Sequence, residues 1–235
     1  MLAKKKTVVR HSVIMRFRHE ILLSFLLIGA IAPGFALPNP QIKVVDTEFS
    51  KGRLGHEQML SLNDAVKLHG HFCDGLVMGF LGLRQALYSL YPNRVIDRTD
   101  LRIVSKPAPC LSDVALFLTG ARYQYNTFYV SADIQYMYIV QRISTQKVYG
   151  IKLKPGIVPK SIKTLGNQAI KGELDGCGLD KLKRLEDDFS ARLLAGKPED
   201  FFIVEEIQNF KWQPTLDSGF SKTDTLNKGR EKCRH

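Results

Sequence analysis

The chain has 235 residues, of which 44% are hydrophobic and 24% charged. That composition excludes disorder throughout, and four cysteines in such a length are too few for a disulfide scaffold. The formal net charge is +11, but residues 1–36 hold six basic side chains against Glu20, which leaves 28 basic and 22 acidic residues for the rest. Those Lys and Arg residues are scattered among acids, with no basic stripe and interleaved aromatics, so no nucleic-acid partner is expected.

Residues 1–36 read as an export signal. Lys4, Lys5, Lys6, Arg10, Arg16 and Arg18 precede an apolar stretch over 21–32, which is too short to span a bilayer. Gly34 and Ala36 then supply the small residues of a cleavage site after Ala36, and Met15 is an alternative start. The competing reading is a retained anchor or a buried helix. A cleaved leader puts the protein in the periplasm or outside the cell, with no integral membrane segment left. Oxidising compartments permit disulfides, so Cys73, Cys110, Cys177 and Cys233 are candidates for bridges as well as for metal ligation.

Residues 37–53 are weakly patterned, with one short strand at 42–45. Ser61 reads as an N-cap, with Leu62, Ala65, Val66 and Leu68 following at helical spacing. His69-Gly70-His71 breaks that helix. A stronger one spans 74–90 on Leu76, Phe80, Leu83, Leu87 and Leu90. A strand follows at 100–104. Lys106-Pro107-Ala108-Pro109 reads as an extended linker, and Ser112 as the cap of a helix over 113–119 stopped by Gly120. Strands are expected at 127–130, 135–143 and 147–153, the last two as a hairpin across Ser144-Thr145-Gln146. Pro155, Pro159 and Gly166 mark a change of texture. Leu179, Leu182, Leu185, Phe189 and Leu193 form the apolar stripe of a third long helix, with Gly196 just past its end. A strand is expected at 202–207, and residues 214–235 read as a mobile tail. Helices followed by antiparallel or mixed strands argue for an α+β fold with a C-terminal helical extension at 165–213.

The distinctive segment is His69-Gly70-His71-Phe72-Cys73-Asp74-Gly75. Two imidazoles and a thiol fall within five residues between a helix end and a helix start. These are the donor types favoured by zinc and other late first-row metals. Cys110-Leu111-Ser112-Asp113 has a similar arrangement, a thiol just before an expected helix start with a carboxylate one turn on. A helix N-terminus favours thiolate. The alternatives are a capped loop with one buried cysteine, or a disulfide between Cys73 and Cys110.

Together these two segments resemble the FmdE family, which takes its name from a component of formylmethanofuran dehydrogenase. The family motif is His-Gly-His-x-Cys-Pro-Gly, followed by a later Cys-x-x-Asp-Ala and a Leu/Val-Thr-Gly; here the second segment is Cys110-Leu-Ser-Asp-Val-Ala-Leu-Phe-Leu-Thr-Gly120. The resemblance covers roughly residues 56–155, within a domain at 54–160. The part after 165 is similar to the C-terminal extension of exported bacterial members. The resemblance implies an α+β domain, often dimeric, that binds a transition metal ion, zinc foremost, through His71, Cys73 and Cys110. His69, Asp113 and Asp74 are the additional or supporting candidates. Asp74 stands where the family has Pro, Arg122–Asn126 keeps only Asn126 of a Gly-Lys-Gly-Asn stretch, and the family's C-terminal paired-cysteine module is missing. Nothing marks the molybdopterin or iron–sulfur machinery of the dehydrogenase.

Tyr123, Tyr125 and Asn126, with Tyr129, Tyr136 and Tyr138, read either as a pocket wall beside the site or as sheet packing. Three functions compete: an exported metal-binding protein accessory to a metalloenzyme; a metal-dependent enzyme with an open coordination position; and a thiol redox protein using Cys73 and Cys110.

Overall fold

The computed structural model describes residues 37–213, 222, 225–231 and 233. The chain divides into 1–36 and 37–235, and the expected signal lies outside the described residues, as does most of the expected tail. Among the described residues no helix is long and apolar enough to cross a membrane.

The fold is α+β: among the described residues, two mixed sheets are packed with six helices. In the smaller sheet β1 (Gln41–Thr47) runs antiparallel to β2 (Leu54–Ser61) and parallel to β3 (Val95–Asp97). The larger sheet has the order β5 (Phe128–Val130), β4 (Leu101–Ser105), β6 (Tyr138–Arg142), β7 (Val148–Leu153), β8 (Phe202–Glu206). Only β4 and β5 are parallel within it. The expected β6–β7 hairpin is present.

Two helices meet at the His-Gly-His-x-Cys segment. Ser61 caps α1 (Leu62–His69) through a capping box with Asp64, and Gly70 closes it in the left-handed conformation at φ +99°, where a side chain would be strained. Cys73 then caps α2 (Asp74–Leu90), its sulfur accepting from the Leu76 N–H at 3.4 Å. Leu76, Val77, Phe80, Leu83, Ala86 and Leu87 of α2 are fully buried, and a large side chain among them contributes about 1.5–3 kcal/mol by burial.

The third helix, α3 (Pro109–Thr119), starts four residues earlier than the helix expected at 113–119. The proline read as the end of a linker is its first residue, where the missing N–H costs nothing and the fixed φ is already helical. Cys110 therefore lies inside the first turn and not before it. Further on, α4 (Lys160–Ile170) buries only Ile162 and runs through Gly166. Asp175 caps α5 (Gly176–Ala195) by accepting from the Gly178 N–H at 2.8 Å. Leu182, Phe189 and Leu193 of its stripe enter the same core as α2, whereas Leu179 is 49% exposed. A short turn, α6 (Pro198–Phe201), leads into β8, the edge strand of the larger sheet. Of the tail, Lys222 and Lys228 make ion pairs with Asp46 at 3.4 Å and Asp97 at 2.5 Å.

Candidate metal centre

The end of α1, the start of α2 and the first turn of α3 converge. His69 Nε2 lies 3.7 Å from Cys73 Sγ, and Cys73 Sγ lies 3.5 Å from Cys110 Sγ. The three donor atoms all fall within 4.8 Å of one another. The approach of α2 to α3 depends on Gly75, where a Cβ would sit 2.9 Å from Cys110 Sγ. One layer deeper, the fully buried Tyr138 donates its hydroxyl to the Leu111 carbonyl at 3.0 Å, tying the first turn of α3 to the larger sheet. Cys73, Cys110, Cys177 and Cys233 are all free thiols.

Asp113, one turn beyond Cys110, holds His69 Nδ1 at 2.7 Å. That bond fixes the ring so that Nε2 faces the sulfurs, the usual way a carboxylate orients a ligating imidazole. Burial works against a charge on His69, but Asp113 and Cys73 lift its pKa above the ordinary value. The thiols do not behave alike. The hydrogen bond to Cys110, reinforced by burial, pushes Cys73 far up, and the same bond holds Cys110 below its ordinary value. The two sulfurs share one S–H···S contact at 3.5 Å, in which either can be the donor.

Of the expected ligands, the structure brings Cys73 and Cys110 together, and beside them His69, which the sequence offered as an additional or supporting candidate. His71 is exposed, its ring stacked at a tilt 4.5 Å from the His69 ring, and it is outside the donor group. His69 and His71 are separated by Gly70, which adopts the left-handed conformation. Asp74 is half-buried; its carboxylate accepts from the Gly75 N–H at 2.7 Å, and burial raises its pKa. Tyr125 and Asn126 do line a cavity, but it lies at the C-terminal end of α3 and not beside the thiols. Tyr123 is 53% exposed.

The donor set fits a late transition ion. Tetrahedral zinc with bonds of about 2.3 Å to sulfur and 2.0–2.1 Å to nitrogen places its donor atoms roughly 3.5–3.8 Å apart; the His69–Cys73 and Cys73–Cys110 pairs lie at 3.7 and 3.5 Å, and all three donors fall within 4.8 Å of one another. The fold and the donors thus describe an α+β domain with a His/Cys/Cys corner able to hold a metal. Residues 68–203 match the family model described as "FmdE, Molybdenum formylmethanofuran dehydrogenase operon". The match covers more than half of the chain, which belongs to the FmdE family. No curated protein matches it.

Proposed function

We propose that this FmdE-family chain is an exported metal-binding protein that holds one late first-row divalent ion, zinc foremost, on His69, Cys73 and Cys110. The reading rests above all on the convergence of one imidazole nitrogen and two sulfurs within 4.8 Å. Asp113 supports it by orienting His69 from behind. Export is supported by the order of basic, apolar and small residues over 1–36.

A bound ion supplies Lewis acidity at this corner. The protein's own part is to hold the donors: Asp113 keeps the His69 tautomer, Gly75 lets the two thiols meet, and Tyr138 anchors the turn that carries Cys110. Loading requires the thiols to give up their protons, so metal uptake releases acid. Three protein donors, where a closed structural site has four, favour a second reading, a metal-dependent enzyme with an open position. In the first reading the protein serves a metalloenzyme partner as an accessory.

Metal content of protein purified from its native host tests the proposal. One ion per chain is expected in the wild type, with loss in His69→Ala, Cys73→Ser and Cys110→Ser and retention in His71→Ala. A Cys73–Cys110 disulfide in freshly purified protein, with no ion, would favour the redox alternative and overturn the metal reading. Intact mass of the exported material tests the leader, with a start at Leu37 expected.

A further inference from the structure

The C-terminal end of α3 borders a cleft of about 770 Å³. Gly120 follows Cys110 by ten positions along α3 and its cap, so this cleft is about 15 Å from the thiols along the helix axis. Arg98, Arg102, Lys211 and Lys222 line it, and no carboxylate does among the described residues. Arg98 and Lys222 both reach one carboxylate, Asp46, at 3.1 and 3.4 Å. Asp46 belongs to an adjoining cavity of about 380 Å³. Arg98 and Lys222 are thus paired, whereas Arg102 and Lys211 meet no carboxylate in the lining among the described residues.

The cleft wall is ordered by its own contacts. Arg102 Nε donates to Gln141 Oε1 at 2.6 Å, and its guanidinium lies 4.8 Å over the Trp212 ring. Trp212 in turn donates its indole N–H to the Asn126 carbonyl at 3.0 Å and meets the Tyr129 ring edge-on at 4.8 Å. A cation held from two sides loses little freedom on binding, and the volume is that of a small-molecule site.

We propose that this cleft binds an organic anion carrying a planar ring. A phosphate or carboxylate head would meet Arg98, Arg102 and Lys211, and the ring would lie along the wall formed by Trp212 and Tyr125. Fixed cations and an aromatic surface are the chemistry that recognises such a ligand.

Trp212 is the single tryptophan of the chain, so its fluorescence reports the cleft directly. The purified protein is titrated with 4-nitrophenyl phosphate, with 4-nitrobenzoate and with uncharged 4-nitrobenzyl alcohol. Saturable quenching by at least one anion and not by the alcohol is expected, and the anion that quenches identifies the head group. Arg102→Gln and Lys211→Gln should each weaken it about tenfold or more, the loss of one charged hydrogen bond. Cys73→Ser should leave it unchanged. Lys211 is exposed, so its variant keeps the test valid even if Arg102→Gln unfolds. Absence of saturable quenching by both anions, equal quenching by the alcohol, or indifference to Lys211→Gln overturns the proposal.

Discussion

At its N-terminal end α3 carries Cys110 and Asp113 into a half-buried corner with His69 and Cys73. At its other end, past Gly120, it borders a cleft lined by four cations. The helix dipole accounts for part of this contrast. Its positive N-terminus favours anionic donors, and Cys110 in its first turn is held below its ordinary pKa chiefly by the hydrogen bond with Cys73. Its negative C-terminus favours cations, and Arg122 donates to the Leu116 and Ala121 carbonyls there at 3.2 and 2.7 Å. One short helix thereby sorts soft anionic donors from hard cations. The two ends should respond separately to mutation.

The largest expected effect comes from crowding the thiol corner. Gly75→Val drives a side chain into Cys110 Sγ, which should cost about 1–3 kcal/mol and also remove metal binding. Trp212 quenching by the anionic probes should survive it; parallel thermal melts and quenching titrations check both. Next, zinc at a hundred times its Kd should stabilise the wild type by about 2.7 kcal/mol, read as a rise in Tm. Cys110→Ser should abolish that rise and Lys211→Gln should keep it.

A third prediction concerns the cleft end. Asp100 is buried beside it and accepts from Arg142 at 2.9 Å and from the Ser144 N–H at 2.8 Å. Burial alone would raise its pKa, but the bonds from Ser144 and Arg142 hold it below the ordinary value. A depressed folded-state pKa means stability that is present above the unfolded value near 3.9 and lost as pH falls through the folded one. Asp100→Asn should therefore cost about 1.5–3 kcal/mol at neutral pH and flatten the acid limb of the stability curve below about pH 4. Urea melts at several pH values read this. The smallest effect is expected at Lys183, which pairs with Asp187 on the exposed face of α5. Lys183→Ala should change stability by less than about 0.5 kcal/mol and leave both ends of α3 untouched.

Much of the thiol corner was legible in the sequence, because the motif sits where two strongly patterned helices must meet. The placement of the two histidines was not. His69 and His71 flank a glycine, and only in the fold does His69 lie beside the sulfurs while His71 is exposed. Pro109 misled in the same local way, since one residue serves equally as the end of a linker or the first residue of a helix. The strand β2 escaped notice because Gly55, His56, Glu57 and Met59 are exposed and give no alternating pattern. The helix α4 was hidden by Gly166 and a single buried side chain. The cationic cleft left no local signal at all. Arg98, Arg102, Lys211 and Lys222 come from distant parts of the chain, and only the fold brings them together.

X-ray absorption at the zinc edge of the loaded protein tests the central claim most directly, because it counts the donor atoms. Two sulfurs and at least one imidazole nitrogen are predicted, falling to one sulfur in Cys73→Ser and losing the His69 nitrogen in His69→Ala while His71→Ala leaves the spectrum as it was. A shell of oxygens and nitrogens without sulfur, or a spectrum that changes with His71 and not with His69, would contradict it.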